Sequence, residues 1–225
     1  MTQIKIPVYY MPGMAASSLI FEHIKLPEEL FIVHRLEWFA PEKGISLVAY
    51  AKLMSEQITE PNPVLIGVSF GGILVQEIAR IIPVRKLIII SSVKAQSELP
   101  KKMQFAKYTK IHKLLPTGLV NNVELLAKYA FGETVVKRLE LYERYLSVRD
   151  KYYLDWCIDH IINWKEGEEL KNLIHIQGEK DPVFPVENIK NCIKVKNGTH
   201  TMIIHRYKWF NEHLPTIILQ NESSI

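Results

Sequence analysis

The stretch Val64-Leu65-Ile66-Gly67-Val68-Ser69-Phe70-Gly71-Gly72-Ile73-Leu74 decides the fold. An apolar run of strand length ends in G-x-S-x-G. A helical pattern follows over 71–82, with Ile73, Leu74, Ile78 and Ile81 among its apolar residues. A strand that turns sharply into a helix at this spacing holds the serine backbone under strain and lifts its hydroxyl above the sheet. Side chains at Gly67 and Gly71 would clash in so tight a turn. The helix that begins there points its N-terminus at the hydroxyl and favours negative charge developing beside it. The competing reading is a glycine-rich nucleotide loop. It fails on spacing: the segment lacks G-x-G-x-x-G, and Ile73 stands where a phosphate-binding loop needs lysine.

Working outward, five more short apolar runs read as strands: 6–10, 31–36, 86–90, 173–177 and 192–195. Near-continuous apolar strands alternating with helical segments at 46–57, 71–82 and 203–213 indicate a parallel sheet covered on both faces. The stretch 97–169 breaks this alternation. It holds helix-like segments at 123–131, 133–146 and 151–164 and no strand pattern, so it reads as a helical cap inserted between core segments 1–96 and 170–225. Its aromatic residues, including Tyr142, Tyr145, Tyr152, Tyr153, Trp156 and Trp164, are candidates for an apolar pocket lining.

The totals bound the class. With 225 residues, 48% hydrophobic and 23% charged, the chain can bury a full core without disulfides. A formal net charge of +4, with both signs mixed along the chain, gives no nucleic-acid footprint. The basic stretch Lys101, Lys102, Lys107, Lys110, His112 and Lys113 reads as a solvated helix face. No apolar run approaches the roughly 20 residues of a membrane span, and the N-terminus lacks the apolar core of a signal peptide. Cys157 and Cys192 stand in no metal-binding spacing. These features read as a cytoplasmic protein, with the oligomeric state undetermined.

Serine is nearly inert at neutral pH, so an elbow serine needs a general base and a carboxylate to orient it. Each should lie just past a strand end. The run 173–177 leads into Gly178-Glu179-Lys180-Asp181-Pro182, which supplies two carboxylates, Asp181 and Glu179. The run 192–195 leads into Asn197-Gly198-Thr199-His200, and His205 follows five residues later inside the expected last helix. His34 and His175 fall within strands and read as structural.

With these segments in view, the chain resembles the α/β-hydrolase superfamily over nearly its whole length, in the order Ser…Asp…His. Gly178 to Pro185 is similar to the family's G-x-x-D-x-x-x-P acid segment, which assigns the acid to Asp181 with Glu179 as the alternative. Gly198-Thr199-His200 resembles the segment before the family's last helix, which assigns the base to His200 with His205 as the alternative. Tyr9-Tyr10-Met11-Pro12-Gly13-Met14 looks like the family's oxyanion loop, with Pro12 where histidine is common; the implied donors are the backbone N–H groups of Met14 and Phe70. This loop comes so early that the family's first two strands are missing. The resemblance therefore implies six parallel strands, the chain's second at one edge, then first, third, fourth, fifth and sixth.

The implied chemistry is hydrolysis of a small-molecule carboxylic ester or related acyl substrate through an acyl-enzyme on Ser69, without metal or organic cofactor. The fold and these residues leave thioester, C–C hydrolase and lyase chemistry open, as well as a ligand-binding protein of low turnover.

Overall fold

The computed structural model describes residues 4–110, 144–168 and 170–220. Six strands form one sheet in the order β2-β1-β3-β4-β5-β6, every neighbouring pair parallel. They are β1 (Ile6–Met11), β2 (Phe31–Arg35), β3 (Val64–Val68), β4 (Lys86–Ile90), β5 (Leu173–Gly178) and β6 (Ile193–Val195). This is the shortened sheet and the strand order that the resemblance implies. The central strands β3 and β4 are buried along their whole length, which is why they carry unbroken apolar runs instead of alternation.

The helices are α1 (Leu47–Ser55), α2 (Phe70–Ala79), α3 (Lys101–Thr109), α4 (Lys151–Asn163), α5 (Met202–His205) and α6 (Tyr207–Leu219). Ser46 caps α1 by accepting the Ala49 N–H at 3.2 Å, and Asp150 caps α4 by accepting the Tyr153 N–H at 2.7 Å. The expected final helix is two helices: Arg206 (φ −109°, ψ 21°) breaks it, and the second runs on to Leu219. Lys86 Nζ, buried at the start of β4, donates to the Ile217 carbonyl at 2.7 Å and so ties the end of α6 to the sheet.

Of the expected cap, residues 111–143 and 169 lie outside the described residues, and with them the stretch 123–131, most of 133–146, and Tyr142. The described part supplies α3 and α4. Of the basic stretch, Lys101, Lys102 and Lys110 are exposed, Lys107 is half-buried and donates to Gln96 Oε1 at 2.8 Å, and His112 and Lys113 lie outside the described residues. α4 buries Tyr153, Leu154, Trp156 and Cys157. Both cysteines are free. Among the described residues no helix is long and apolar enough to cross a membrane.

Candidate active site

Ser69 follows β3 directly and precedes the first residue of α2, with φ 53° and ψ −122°. Such a conformation in a non-glycine residue costs on the order of 1–3 kcal/mol, so the surrounding packing must enforce it. Close approach supplies the enforcement. A Cβ on Gly67 would stand 2.3 Å from the Gly71 carbonyl oxygen, and one on Gly71 would stand 2.3 Å from the Pro12 oxygen. The second distance also explains how the elbow and the loop after β1 come to share one site: only glycine lets α2 start against that loop.

The loops after β5 and β6 meet in the same way. A Cβ on Gly178 would lie 2.5 Å from the Gly198 carbonyl oxygen. Lys180 N–H donates to the Gly198 carbonyl at 2.8 Å, and the exposed Glu179 carboxylate accepts the Asn197 N–H at 3.0 Å. Glu179 thus fastens the two loops together. His205, the other alternative, is exposed on α5.

Three side chains converge at the C-terminal edge of the sheet. His200 Nε2 lies 3.0 Å from Ser69 Oγ. His200 Nδ1 lies 3.0 Å from Asp181 Oδ2 and 3.1 Å from Oδ1. Asp181 is buried and also accepts the Val183 N–H at 2.8 Å and the Phe184 N–H at 3.0 Å through Oδ1. The loop-turn reading of an Asp before Pro and its pairing with histidine are therefore both realised. Burial works to raise the Asp181 pKa, but the charge and hydrogen bond of His200, with the two backbone donors, outweigh it and hold the carboxyl below its ordinary value. The Phe184 ring stands edge-on to the imidazole, with centroids 5.5 Å apart.

Two buried polar residues stand behind the acid: His175, expected to be structural, and Gln177, which the sequence reading does not single out. Gln177 Nε2 donates to Asp181 Oδ2 at 2.9 Å and to the Phe184 carbonyl at 2.6 Å. With its amine so used, its Oε1 accepts, and His175 Nε2, 3.2 Å away, carries the proton. Burial, assisted by the positive charge of Lys94, lowers the His175 pKa to about 4, so this ring is neutral near pH 7. The sequence did hold a signal: His175 and Gln177 alternate within an otherwise apolar strand and share one face.

Met14 lines the same cavity as Ser69, and Phe70 follows Ser69 in the chain. Phe70 opens α2, where N–H groups have no intrahelical acceptor. Among the described residues, no backbone hydrogen bond outside helices and strands uses the Met14 or Phe70 N–H. The carbonyl partners of these two peptide units are engaged from behind. Trp38 Nε1 donates to the Gly13 carbonyl at 2.9 Å, and Ser92 Oγ to the Ser69 carbonyl at 2.7 Å.

A cavity of about 80 Å³ opens on Ser69 and His200. Its described lining is mainly apolar and includes Met103 of α3, Tyr145, Leu146, Ile161 of α4, and Phe184. Tyr145 and Ile161 come from the part of the chain expected to supply a pocket; Trp156 and Trp164 pack into the core instead. Burial pushes the Cys157 thiol well above its ordinary pKa, which leaves it protonated and unreactive. Among the described residues no group of three or more His, Cys, Asp and Glu side chains comes together as a metal site would require.

No family model matches the chain, and no curated protein matches it. Solved structures do. A lipase-esterase related protein from Clostridium acetobutylicum superposes with a TM-score of 0.70 at 19% identity, covering 96% of each chain. A hydrolase from Pseudomonas aeruginosa gives 0.71 at 13% identity, over 96% of this chain and 91% of that one. A thermophilic esterase from Thermogutta terrifontis gives 0.68 at 14%, over 96% and 92%. Likeness at this level of identity shows the fold: the chain has the α/β-hydrolase fold over its full sheet.

Proposed function

We propose that the protein is a serine hydrolase of carboxylic esters or related small acyl substrates, with Ser69 as nucleophile, His200 as general base and Asp181 as its orienting acid. One observation carries the reading: a single buried imidazole has one nitrogen 3.0 Å from Ser69 Oγ and the other 3.0 Å from the Asp181 carboxylate. Hydrogen-bond contact on both sides is what proton transfer through one imidazole requires.

In this reading His200 takes the Ser69 proton as Oγ attacks the acyl carbonyl. The Met14 and Phe70 N–H groups receive the oxyanion, a task worth about 3–4 kcal/mol per donor. His200 then protonates the leaving group, and a water activated by the same imidazole releases the acid. The apolar lining from Leu146, Ile161 and Phe184 suits an uncharged acyl chain. Residues 97–169 act as the cap inserted into the core of 1–96 and 170–225, and the protein works in the cytoplasm. Lipase, esterase and hydrolase structures sharing the fold agree with this chemistry.

A panel of p-nitrophenyl esters and matching thioesters tests it. The expected result is turnover of at least one short or medium acyl ester, lost in Ser69→Ala. Tight binding of acyl compounds without turnover by the wild type would instead favour a ligand-binding protein.

A further inference from the structure

The two backbone groups expected to receive the oxyanion belong to rigid units. A trans peptide is planar, so the N–H of one residue and the carbonyl of the preceding residue point in opposite directions and turn together. Aiming the Met14 N–H means fixing the Gly13 carbonyl, and aiming the Phe70 N–H means fixing the Ser69 carbonyl.

Both carbonyls are fixed in the same way. Gly13 O accepts from Trp38 Nε1 at 2.9 Å and from the Ala16 N–H at 3.1 Å. Ser69 O accepts from Ser92 Oγ at 2.7 Å and from the Gly72 N–H at 2.9 Å. Each carbonyl thus has one backbone and one side-chain donor, which fills both of its acceptor positions. Swinging either N–H away from the site would break two hydrogen bonds at once. Donation into a carbonyl also polarises the N–H at the other end of the same peptide.

The side-chain donors are themselves held. The Trp38 ring lies parallel to Phe70, with centroids 5.2 Å apart and planes 4° apart. Tyr153 of α4 stands edge-on to it, and the Tyr153 hydroxyl accepts the Ala15 N–H at 3.3 Å. Ser92 is fully buried, packed so closely on α2 that a Cβ at Gly72 would come within 2.4 Å of its oxygen. Neither Trp38 nor Ser92 lines the cavity.

We infer that Trp38 and Ser92 are positioning residues for the oxyanion hole, each setting the direction of one N–H donor by holding the carbonyl of the same peptide. The inference rests on the serine-hydrolase reading above and adds two residues to it. Its signature is a loss in the transition state without a loss in substrate binding.

The test uses the ester the wild type hydrolyses best. Trp38→Phe keeps the aromatic stack and removes the donor; Ser92→Ala removes the hydroxyl. Losing an oxyanion donor outright lowers kcat by 10²–10³, so misaiming one is expected to lower kcat by roughly tenfold in each variant, with KM within about twofold. Affinity for a trifluoromethyl ketone analogue of the substrate, which forms the tetrahedral oxyanion on the enzyme, should fall by the same factor as kcat/KM. A purely structural role would lower the thermal midpoint and leave kcat of the folded fraction and ketone affinity unchanged; that result overturns the inference. If a variant lacks the near-ultraviolet circular dichroism of the wild type, Trp38→Tyr or Ser92→Cys is read in its place, since each removes or weakens the donor while filling the site. Ser69→Ala separates the two levels. If it retains full activity, the hydrolase reading fails and takes the inference with it. If it is inactive while folded Trp38 and Ser92 variants keep wild-type kcat, the inference alone fails.

Discussion

The loops that carry Ser69, Asp181 and His200 and the limb 144–163, which lends Tyr145, Leu146 and Ile161 to the cavity wall, are built on different principles. The loops meet at close backbone contacts, to which Glu179, Trp38 and Ser92 each add one side-chain hydrogen bond. Gly71 abuts Pro12, Gly178 abuts Gly198, and Ser69, Ser91 and Asn197 sit at positive φ where strands β3, β4 and β6 give way to loops. The limb is held by large side chains. Tyr153, Trp156 and Trp38 interlock with Tyr50 and Phe70, and two backbone hydrogen bonds, Ser17 N–H to Tyr145 O and Val148 N–H to Ala15 O, lace the limb to the loop after β1. Backbone contacts tolerate no substitution and fix geometry to a fraction of an ångström. Side-chain contacts tolerate exchange of similar volumes. On the proposed function, the chemistry belongs to the first region and the choice of substrate to the second.

Substitutions should divide along that line. The largest effect is expected at Asp181→Asn, which leaves the shape and removes the charge that orients His200. Its kcat on the best ester should fall by about 10⁴ with little change in KM, the scale of losing the orienting acid in such a triad. A change below tenfold would give the acid's role to another residue.

Next comes Gly71→Ala. The new methyl would meet the Pro12 and Met11 carbonyl oxygens at 2.3 and 2.6 Å, both backbone. Urea denaturation should register a loss of about 3 kcal/mol, with activity falling further than stability because the loop carrying Met14 must move.

His175 gives a smaller effect with a definite sign. Its folded pKa of about 4 lies below the ordinary imidazole value of 6.5. Above pH about 6.5 neither state binds the proton and stability is complete; as pH falls toward 4 the unfolded chain binds a proton that the folded chain refuses, and stability declines. Between pH 7 and 4.5 this amounts to about 2 kcal/mol. In His175→Gln the decline over that interval should shrink by this amount, and an unchanged pH profile would mean that the ring titrates alike in the folded and unfolded chain.

The smallest effect is expected in the limb. Ile161→Val, at the cavity wall, should cost about 1 kcal/mol of stability. It should shift the ratio of kcat/KM between a short and a longer acyl ester severalfold, with kcat on the preferred ester nearly unchanged. A large fall in kcat for all esters would erase the division between the two regions.

The same division explains what could be read from the chain in advance. Strand runs, the elbow and the three loops are local patterns, while the strand order and the choice of Asp181 and His200 come only from the family resemblance that those patterns carry. Glu179 and His205 stayed open because spacing alone cannot tell which way a loop residue faces. Trp38 and Ser92 were illegible because each acts on a peptide more than twenty residues away, through one hydrogen bond that no local pattern announces. The break at Arg206 was missed for a different reason: α5 and α6 are both amphipathic, and one periodicity runs across the junction without a proline or glycine to mark it.

The central claim is that Ser69 is the nucleophile, activated by His200. Intact-mass spectrometry after incubation with a fluorophosphonate, followed by peptide mapping, tests it most directly. The account predicts one adduct per chain on Ser69, none on Ser69→Ala, and labelling slowed by orders of magnitude in His200→Ala. An adduct on another residue, or equal labelling of wild type and Ser69→Ala, would contradict it.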